Sequence, residues 1–175
     1  MRTYRLLIVL AASALLAAGC GDKKDSGGSA SGSCDVSVSG DQGKKPQVSV
    51  PKCAAPTALQ TKDLITGSGD AVRAGDTVAV NYTLYTWSDG KSVESSYDSG
   101  QSFPVENVGQ AQVIDGWNKG LVGLRKGGRR LLVVPPSLGY GAQGSGPIGP
   151  NETLVFVIDA VNLTPSGKLG PSTGG

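Results

Sequence analysis

Three short segments of the chain place isolated aromatic residues beside aliphatic ones. They are residues 113–117 (Val-Ile-Asp-Gly-Trp), 140–142 (Tyr-Gly-Ala) and 153–156 (Thr-Leu-Val-Phe). The segments offer no nucleophile, no set of metal ligands and no phosphate-binding loop. The chain also has no histidine, which removes the catalytic base of Ser and Cys hydrolases and a common zinc ligand. A site made from these residues would act by its shape and by excluding water, without metal or cofactor.

These segments carry a family resemblance. Residues 75–163 resemble the FKBP-type peptidyl-prolyl cis/trans isomerase domain, with its Val-Ile-x-Gly-Trp signature, its Tyr-Gly-Ala turn and its closing Thr-Leu-Val-Phe strand. Upstream, Val-Asn-Tyr-Thr at 80–83, Asp-Gly at 89–90 and Ser-Ser at 95–96 follow in the family's order and at nearly its spacing. The resemblance implies an α+β fold in which an antiparallel, strongly curved β-sheet wraps around one short α-helix.

The resemblance also implies a pocket whose floor is Trp117. Its walls would be Tyr82, Val93, Phe103, Val113, Ile114, Tyr140, Ile148 and Phe156, with Glu94 among the site residues. The Ile148 backbone N–H would donate to a substrate carbonyl, and the Tyr140 hydroxyl would provide a second polar contact. A proline ring is small and apolar, so an aromatic slot suits it.

Each of these residues also has a purely structural interpretation. Val113 and Ile114 could equally be core residues, and so could Phe156 on an alternating strand. Trp117 favours function because the preceding Asp115-Gly116 pair lets the chain turn tightly and present the indole. Tyr140 also favours a functional role, because it lies between two glycines in a loop, where an aromatic residue is not needed for a sheet core.

One departure from the family bears on function. Where the family usually has Phe-Asp-Ser-Ser, residues 93–96 read Val-Glu-Ser-Ser, which removes an aromatic wall and lengthens the carboxylate by one methylene. The leading hypothesis is an isomerase that assists the folding of exported proteins by binding a twisted X-Pro amide. The alternative is a non-catalytic or weakly catalytic peptide-binding or chaperone module of the cell envelope. Trp117 and Tyr140 disfavour a purely structural envelope protein. Macrolide inhibitors are candidate ligands, and we expect a monomer.

The amino terminus has the pattern of a bacterial export signal. Arg2 and Arg5 precede an apolar run at residues 6–18, which is short for a membrane span. Small residues then lead to Cys20, as in a lipobox, although an ordinary secretory signal stays open. We therefore expect a signal peptide at 1–19, lipid on Cys20 and an exported lipoprotein at the outer face of the cytoplasmic membrane or in the cell envelope.

The other cysteines, Cys34 and Cys53, are an even pair in a chain expected to be exported, so they predict a disulfide. Between them, Val36 and Val38 alternate with polar residues, as do Val48 and Val50, which indicates a β-hairpin. A flexible Gly/Ser tether is expected at 20–33, the hairpin extension at 34–55, the isomerase domain at 56–164 and a flexible tail at 165–175.

Charge argues against a nucleic-acid partner. Without residues 1–19 the chain has 14 Lys and Arg against 14 Asp and Glu, whereas nucleic-acid binding needs a basic surface. Arg125-Lys126 with Arg129-Arg130 is the one tight basic cluster, and we interpret it as a solvated strand end.

Short strands must position the candidate residues. Hydrophobic patterning predicts strands at 59–65, 77–86, 101–105, 129–134 and 154–163, and one short helix at 116–122 that ends at Gly123. The 27 glycines and 10 prolines fit many turns and little helix.

Overall fold

The computed structural model describes residues 34–167. The predicted signal peptide, Cys20, the tether at 20–33 and residues 168–175 of the tail lie outside the described part. Within residues 34–167, no helix combines the length and apolarity that crossing a membrane would require.

The elements are β1 (Ser37–Ser39), β2 (Gln47–Ser49), β3 (Gln60–Ile65), β4 (Thr77–Thr86), β5 (Ser92–Ser95), α1 (Ser96–Ser99), β6 (Phe103–Val105), α2 (Asp115–Gly120), β7 (Arg129–Val134), a 3-10 turn at Pro136–Leu138 and β8 (Leu154–Thr164). A six-stranded antiparallel sheet forms the body of the protein, in the order β3-β7-β8-β4-β5 with β6 also paired to β4. β1 and β2 form a separate antiparallel hairpin. The predicted fold class, an antiparallel sheet with little helix, is confirmed.

The differences from the predicted elements have local causes. The sequence predicted neither β5 nor α1, since Ser92 and Glu94 are exposed on an edge strand that shows no apolar alternation. Helix α2 begins at Asp115 and ends at Gly120, short of the predicted end at 122. The N–H of Gly123 donates to the carbonyl of Val72 at 2.8 Å, so the chain leaves the helix there.

The sheet buries apolar side chains on both faces, because successive residues of a strand point to opposite sides. Along β4, Val80, Tyr82 and Leu84 belong to an inner core that includes Trp117 of α2. Trp87 belongs to an outer core with Leu131, Val133, Val155 and Val157. We call the two sides the inner and outer faces.

The hairpin packs on the outer face. Its four valines, Val36, Val38, Val48 and Val50, contact the outer core. Cys34 and Cys53 form the predicted disulfide, with their Cα atoms 6.1 Å apart. The indole N–H of Trp87 donates to the carbonyl of Cys53 at 3.0 Å. The extension is thus joined to the sheet by apolar packing and by hydrogen bonds.

The prediction of a solvated basic strand end was wrong for Arg129 and Arg130, which are buried, and right only for Arg125 and Lys126, which are exposed. Arg129 is 1% exposed and forms two hydrogen bonds to the carboxylate of Asp159, at 2.6 and 2.8 Å. Its remaining N–H groups donate to hairpin carbonyls of Gly40, Asp41 and Lys44. The hydrogen bond to Asp159 raises the pKa of the Arg129 guanidinium, so the guanidinium stays charged.

Arg130 lies at the other face of the same strand. It bonds to Asp63 of β3, and its Nη1 donates to the carbonyls of Gly120 and Val122 at 2.8 and 2.9 Å. A cation at these carbonyls stabilises the carboxyl end of α2.

Candidate active site

Two glycines allow α2 to lie directly against β7. A Cβ atom on Gly116 would collide with the side chain of Val134, and one on Gly120 would come within 2.8 Å of Leu132. The helix follows Ile114, whose backbone is extended. This close approach places the indole of Trp117 at the inner face, where it is 5% exposed.

Four aromatic rings converge at this point. Trp117 contacts Tyr82, Phe156 and Phe103 edge-on, with ring centroids 5.2, 5.3 and 6.0 Å apart. Phe103 also meets Tyr82 at 6.1 Å. Edge-to-face pairs at these separations contribute about 0.5–1.5 kcal/mol each beyond area burial. The rings therefore support one another's orientation before any ligand is present.

A cavity of about 180 Å³ opens above the indole of Trp117. It is lined by Tyr82, Leu84, Glu94, Phe103, Gln112, Val113, Ile114, Trp117, Tyr140 and Phe156. Eight of the ten residues predicted for the site therefore meet at one cavity, and the exceptions are Val93 and Ile148. Their chemical roles stay predictions.

Ile148 and Val93 lie away from the cavity lining. Ile148 is buried in the inner core, and its N–H donates to the carbonyl of Ser145 at 2.9 Å, not toward the cavity. The N–H of Ser145 donates to the Ile148 carbonyl in turn, and the two bonds close a tight turn at residues 145–148. Val93 packs against the inner core and does not line the cavity.

Sequence reasoning missed two lining residues, Leu84 and Gln112. Leu84 could have been found, since it follows Tyr82 by two residues on the same strand and so shares its face. Gln112 precedes the Val-Ile-x-Gly-Trp signature in a loop, and no periodicity indicates its direction.

The polar groups of the cavity lie at its rim. The hydroxyl of Tyr82 donates to Oε1 of Glu94 at 2.7 Å. Burial, and secondly this bond to the carboxylate, raises the pKa of Tyr82 above that of a free phenol. Tyr140 and Phe103 are 38% and 41% exposed, so they border the opening. Tyr82 thus keeps its proton, and its hydroxyl oxygen can still accept a hydrogen bond.

The arrangement suits noncovalent binding of a small apolar group. Between residues 34 and 167, no three His, Cys, Asp or Glu side chains cluster so that they could hold a metal ion. The lining supplies aromatic faces, aliphatic walls and two phenol hydroxyls. Such a site can orient and desolvate a bound group while hydroxyls contact its polar atoms.

Comparison with known proteins gives consistent matches. The family model for FKBP-type peptidyl-prolyl cis-trans isomerase matches residues 69–161. The FK506-binding protein of Streptomyces anulatus is 40% identical over 120 residues, which cover 67% of this chain and 96% of that protein. FkpA of Escherichia coli strain K12, an FKBP-type peptidyl-prolyl cis-trans isomerase, is 40% identical over 114 residues, which cover 64% of this chain and 40% of FkpA.

Solved structures agree with the sequence matches. The crystal structure of FkpA from Escherichia coli is similar with a TM-score of 0.57 and 38% identity, over 63% of this chain and 50% of that one. The crystal structure of AtFKBP13 is similar with a TM-score of 0.56 and 30% identity, over 63% of this chain and 96% of that one.

Proposed function

The chain belongs to the FKBP-type peptidyl-prolyl cis-trans isomerase family, and we propose that it binds a twisted X-Pro amide in the Trp117 cavity to assist the folding of exported proteins. The observation that carries this proposal is the aromatic-lined cavity above Trp117, whose indole contacts three other rings edge-on. Its substrates are polypeptides that contain an X-Pro bond.

The chemistry of the bond explains why such a site is sufficient. Resonance holds the X-Pro amide planar with a barrier of about 18–20 kcal/mol, and uncatalysed isomerisation takes tens to hundreds of seconds. The planar amide is more charge-separated than the twisted one. An apolar cavity that withholds water from the carbonyl and fits the twisted amide therefore favours the transition state over the ground state.

Each lining group has a role in this proposal. The proline ring rests on the indole of Trp117, between Tyr82 and Phe156. Val113 and Ile114 exclude water from the side where α2 begins. The exposed hydroxyl of Tyr140 donates to a substrate carbonyl at the rim, whereas the Tyr82 hydroxyl is oriented by Glu94.

We further propose that the protein acts outside the cytoplasm as a monomeric lipoprotein anchored through Cys20. Three observations support this: the export pattern of residues 1–20, the polar Gly/Ser composition of residues 21–33 and the Cys34–Cys53 disulfide, which suits an oxidising compartment. A Gly/Ser tether of this length reaches on the order of 20 Å, enough to meet chains emerging near the membrane.

An isomerisation assay on a short uncharged X-Pro peptide tests the activity. The wild-type protein should accelerate the cis-to-trans step above the uncatalysed rate, and a macrolide that fills the cavity should inhibit it. Ser137→Ala is the control, since this exposed hydroxyl lies outside the cavity and should leave the rate unchanged. Folded protein that binds the peptide without accelerating any X-Pro bond would support the peptide-binding module instead.

The anchor is tested separately. Mass spectrometry of the mature amino terminus should find lipid on Cys20, and Cys20→Ala should release the protein or leave it unprocessed. A Cys20→Ala protein that stayed membrane-bound and was trimmed at the same place would overturn the anchor without affecting the isomerase proposal.

A further inference from the structure

A second groove continues directly from the Trp117 cavity. It runs between residues 103–107 on one side and residues 110–113 on the other, and it shares Phe103, Gln112 and Val113 with the cavity lining. A polypeptide whose proline occupies the cavity therefore finds an open path for its flanking residues. We call this path the flank groove.

Both walls of the flank groove are tied to elements that form the cavity. Asn118, next to Trp117, accepts hydrogen bonds from the N–H groups of Gly109 and Ala111 at 3.0 and 2.9 Å. Its Nδ2 donates to the carbonyl of Ala111 at 3.0 Å. The opposite wall is β6, which pairs with β4 beside Tyr82. The groove thus exists before a substrate binds.

The charges along this path have one sign. Glu94 in the cavity and Glu106 in the flank groove are the only charged residues in the two linings, and both are exposed. In the part of the chain that the structure describes, neither carboxylate pairs with a cation. Four other acids, Asp63, Asp89, Asp98 and Asp159, do so. Glu94 is bonded to the neutral Tyr82 hydroxyl, which leaves its charge in place.

We propose that the cavity and the flank groove select X-Pro segments that carry a lysine or arginine within about three residues of the proline, and discriminate against segments with Asp or Glu there. This inference rests on the proposed function, because it assumes that the proline occupies the Trp117 cavity. Two uncompensated carboxylates along one cleft attract a cationic side chain and repel an anionic one. The attraction acts through water, so salt screens it.

The test uses peptides with one X-Pro bond that differ by Lys, Gln or Glu at a single flanking position, scanned over the residues around the proline. At low ionic strength we expect kcat/KM for the best Lys peptide to exceed that of its Glu counterpart by about threefold to tenfold. The ratio should approach one at roughly 0.5 M salt. Glu106→Gln should lower the ratio, whereas Asp70→Asn, which removes an exposed charge outside both linings, should not.

Direct binding of the same peptides, followed by the intrinsic fluorescence of the two tryptophans, separates this inference from the proposed function. If uncharged peptides are isomerised but the Lys and Glu peptides are equal at low salt, charge selection is wrong and the isomerase function stands. If no peptide is isomerised, the dissociation constants of the Lys and Glu peptides at low salt test charge selection. Tighter binding of the Lys peptide supports it, and equal binding overturns it. Equal loss of the ratio in Glu106→Gln and Asp70→Asn would show a general field of the protein, and would overturn the role of the groove.

Discussion

The two faces of the main sheet are closed in opposite ways. The outer face is covered by the chain's own hairpin, with valines against the outer core and a buried Arg129–Asp159 pair whose polar groups are bonded to hairpin carbonyls. The inner face is covered by a helix of six residues, which leaves an aromatic cavity open beside it. One face is completed by the protein itself, and the other awaits a ligand.

Neighbouring arginines show the same division. Arg129 joins the hairpin to the outer face, whereas Arg130 bonds to the carboxyl end of the helix that carries Trp117. Stability and activity should therefore depend on different sides of one sheet. Changes on the outer face should alter unfolding, and changes on the inner face should alter turnover.

The largest effect should follow from Asp159→Ala on the outer face. Removing one partner of a buried pair leaves the Arg129 charge uncompensated, so the free energy of unfolding should fall by about 3–5 kcal/mol. Thermal unfolding should show a Tm lower by on the order of 10 °C. Turnover per folded molecule should change by less than about twofold.

Asp98→Ala is the matched control for this change. Asp98 pairs with Lys45 at 2.7 Å on the surface, where an ion pair contributes about 0–1 kcal/mol. Equal losses of stability in the two variants would contradict the view that the outer pair is a buried anchor.

The second largest effect should follow from removing the disulfide. Replacing Cys34 and Cys53 by serine opens a loop with a sequence separation of 19, which the chain-entropy relation values at about 3 kcal/mol. Denaturant unfolding should show a lower midpoint, as should reduction of the wild-type protein. A parallel loss of kcat in the folded variant would show that the two faces are not independent.

Trp117→Leu tests the inner face. It keeps an apolar floor but removes three edge-on ring contacts, so kcat/KM for an uncharged X-Pro peptide should fall about tenfold, or about 1.4 kcal/mol in transition-state binding. Circular dichroism should show that the fold persists. Unchanged turnover in the folded variant would break the assignment of the floor to Trp117.

The smallest effect should be that of pH. Because the pKa of Tyr82 is raised, its hydroxyl keeps its proton as the pH rises toward the value of a free phenol, and the chain has no histidine to titrate near neutrality. Peptide kcat/KM should therefore stay flat between about pH 6 and pH 9. A decline with a midpoint in that range would mean that Tyr82 or another group ionises in the active form.

The sequence predicted the inner face better than the outer one. The Val-Ile-x-Gly-Trp signature correctly placed Trp117 at a helix start, and alternation located the long strands β4, β7 and β8. A local pattern was enough there, because each residue's face follows from its place in its own element.

Failures occurred where a residue's environment comes from distant parts of the chain. Arg129 is buried because Asp159 and the hairpin carbonyls surround it, and neither partner can be read from the residues beside it. The N–H of Ile148 donates to the carbonyl of Ser145 within a turn, and Gly144 and Gly146 beside or within that turn both have positive φ. The edge strand β5 escaped notice because its exposed residues are polar.

The pairing of β4 with β8 also bears on how the protein is made. Tyr82 pairs with Ile158, so the cavity walls Tyr82 and Phe156 come from segments that a ribosome releases far apart in time. Pairing over so long a stretch is slow compared with local structure, since the intervening chain must first be brought into a loop. During synthesis β4 has no β8 beside it, and the cavity does not yet exist. The cavity, and the activity that depends on it, can therefore form only after β8 has paired with β4.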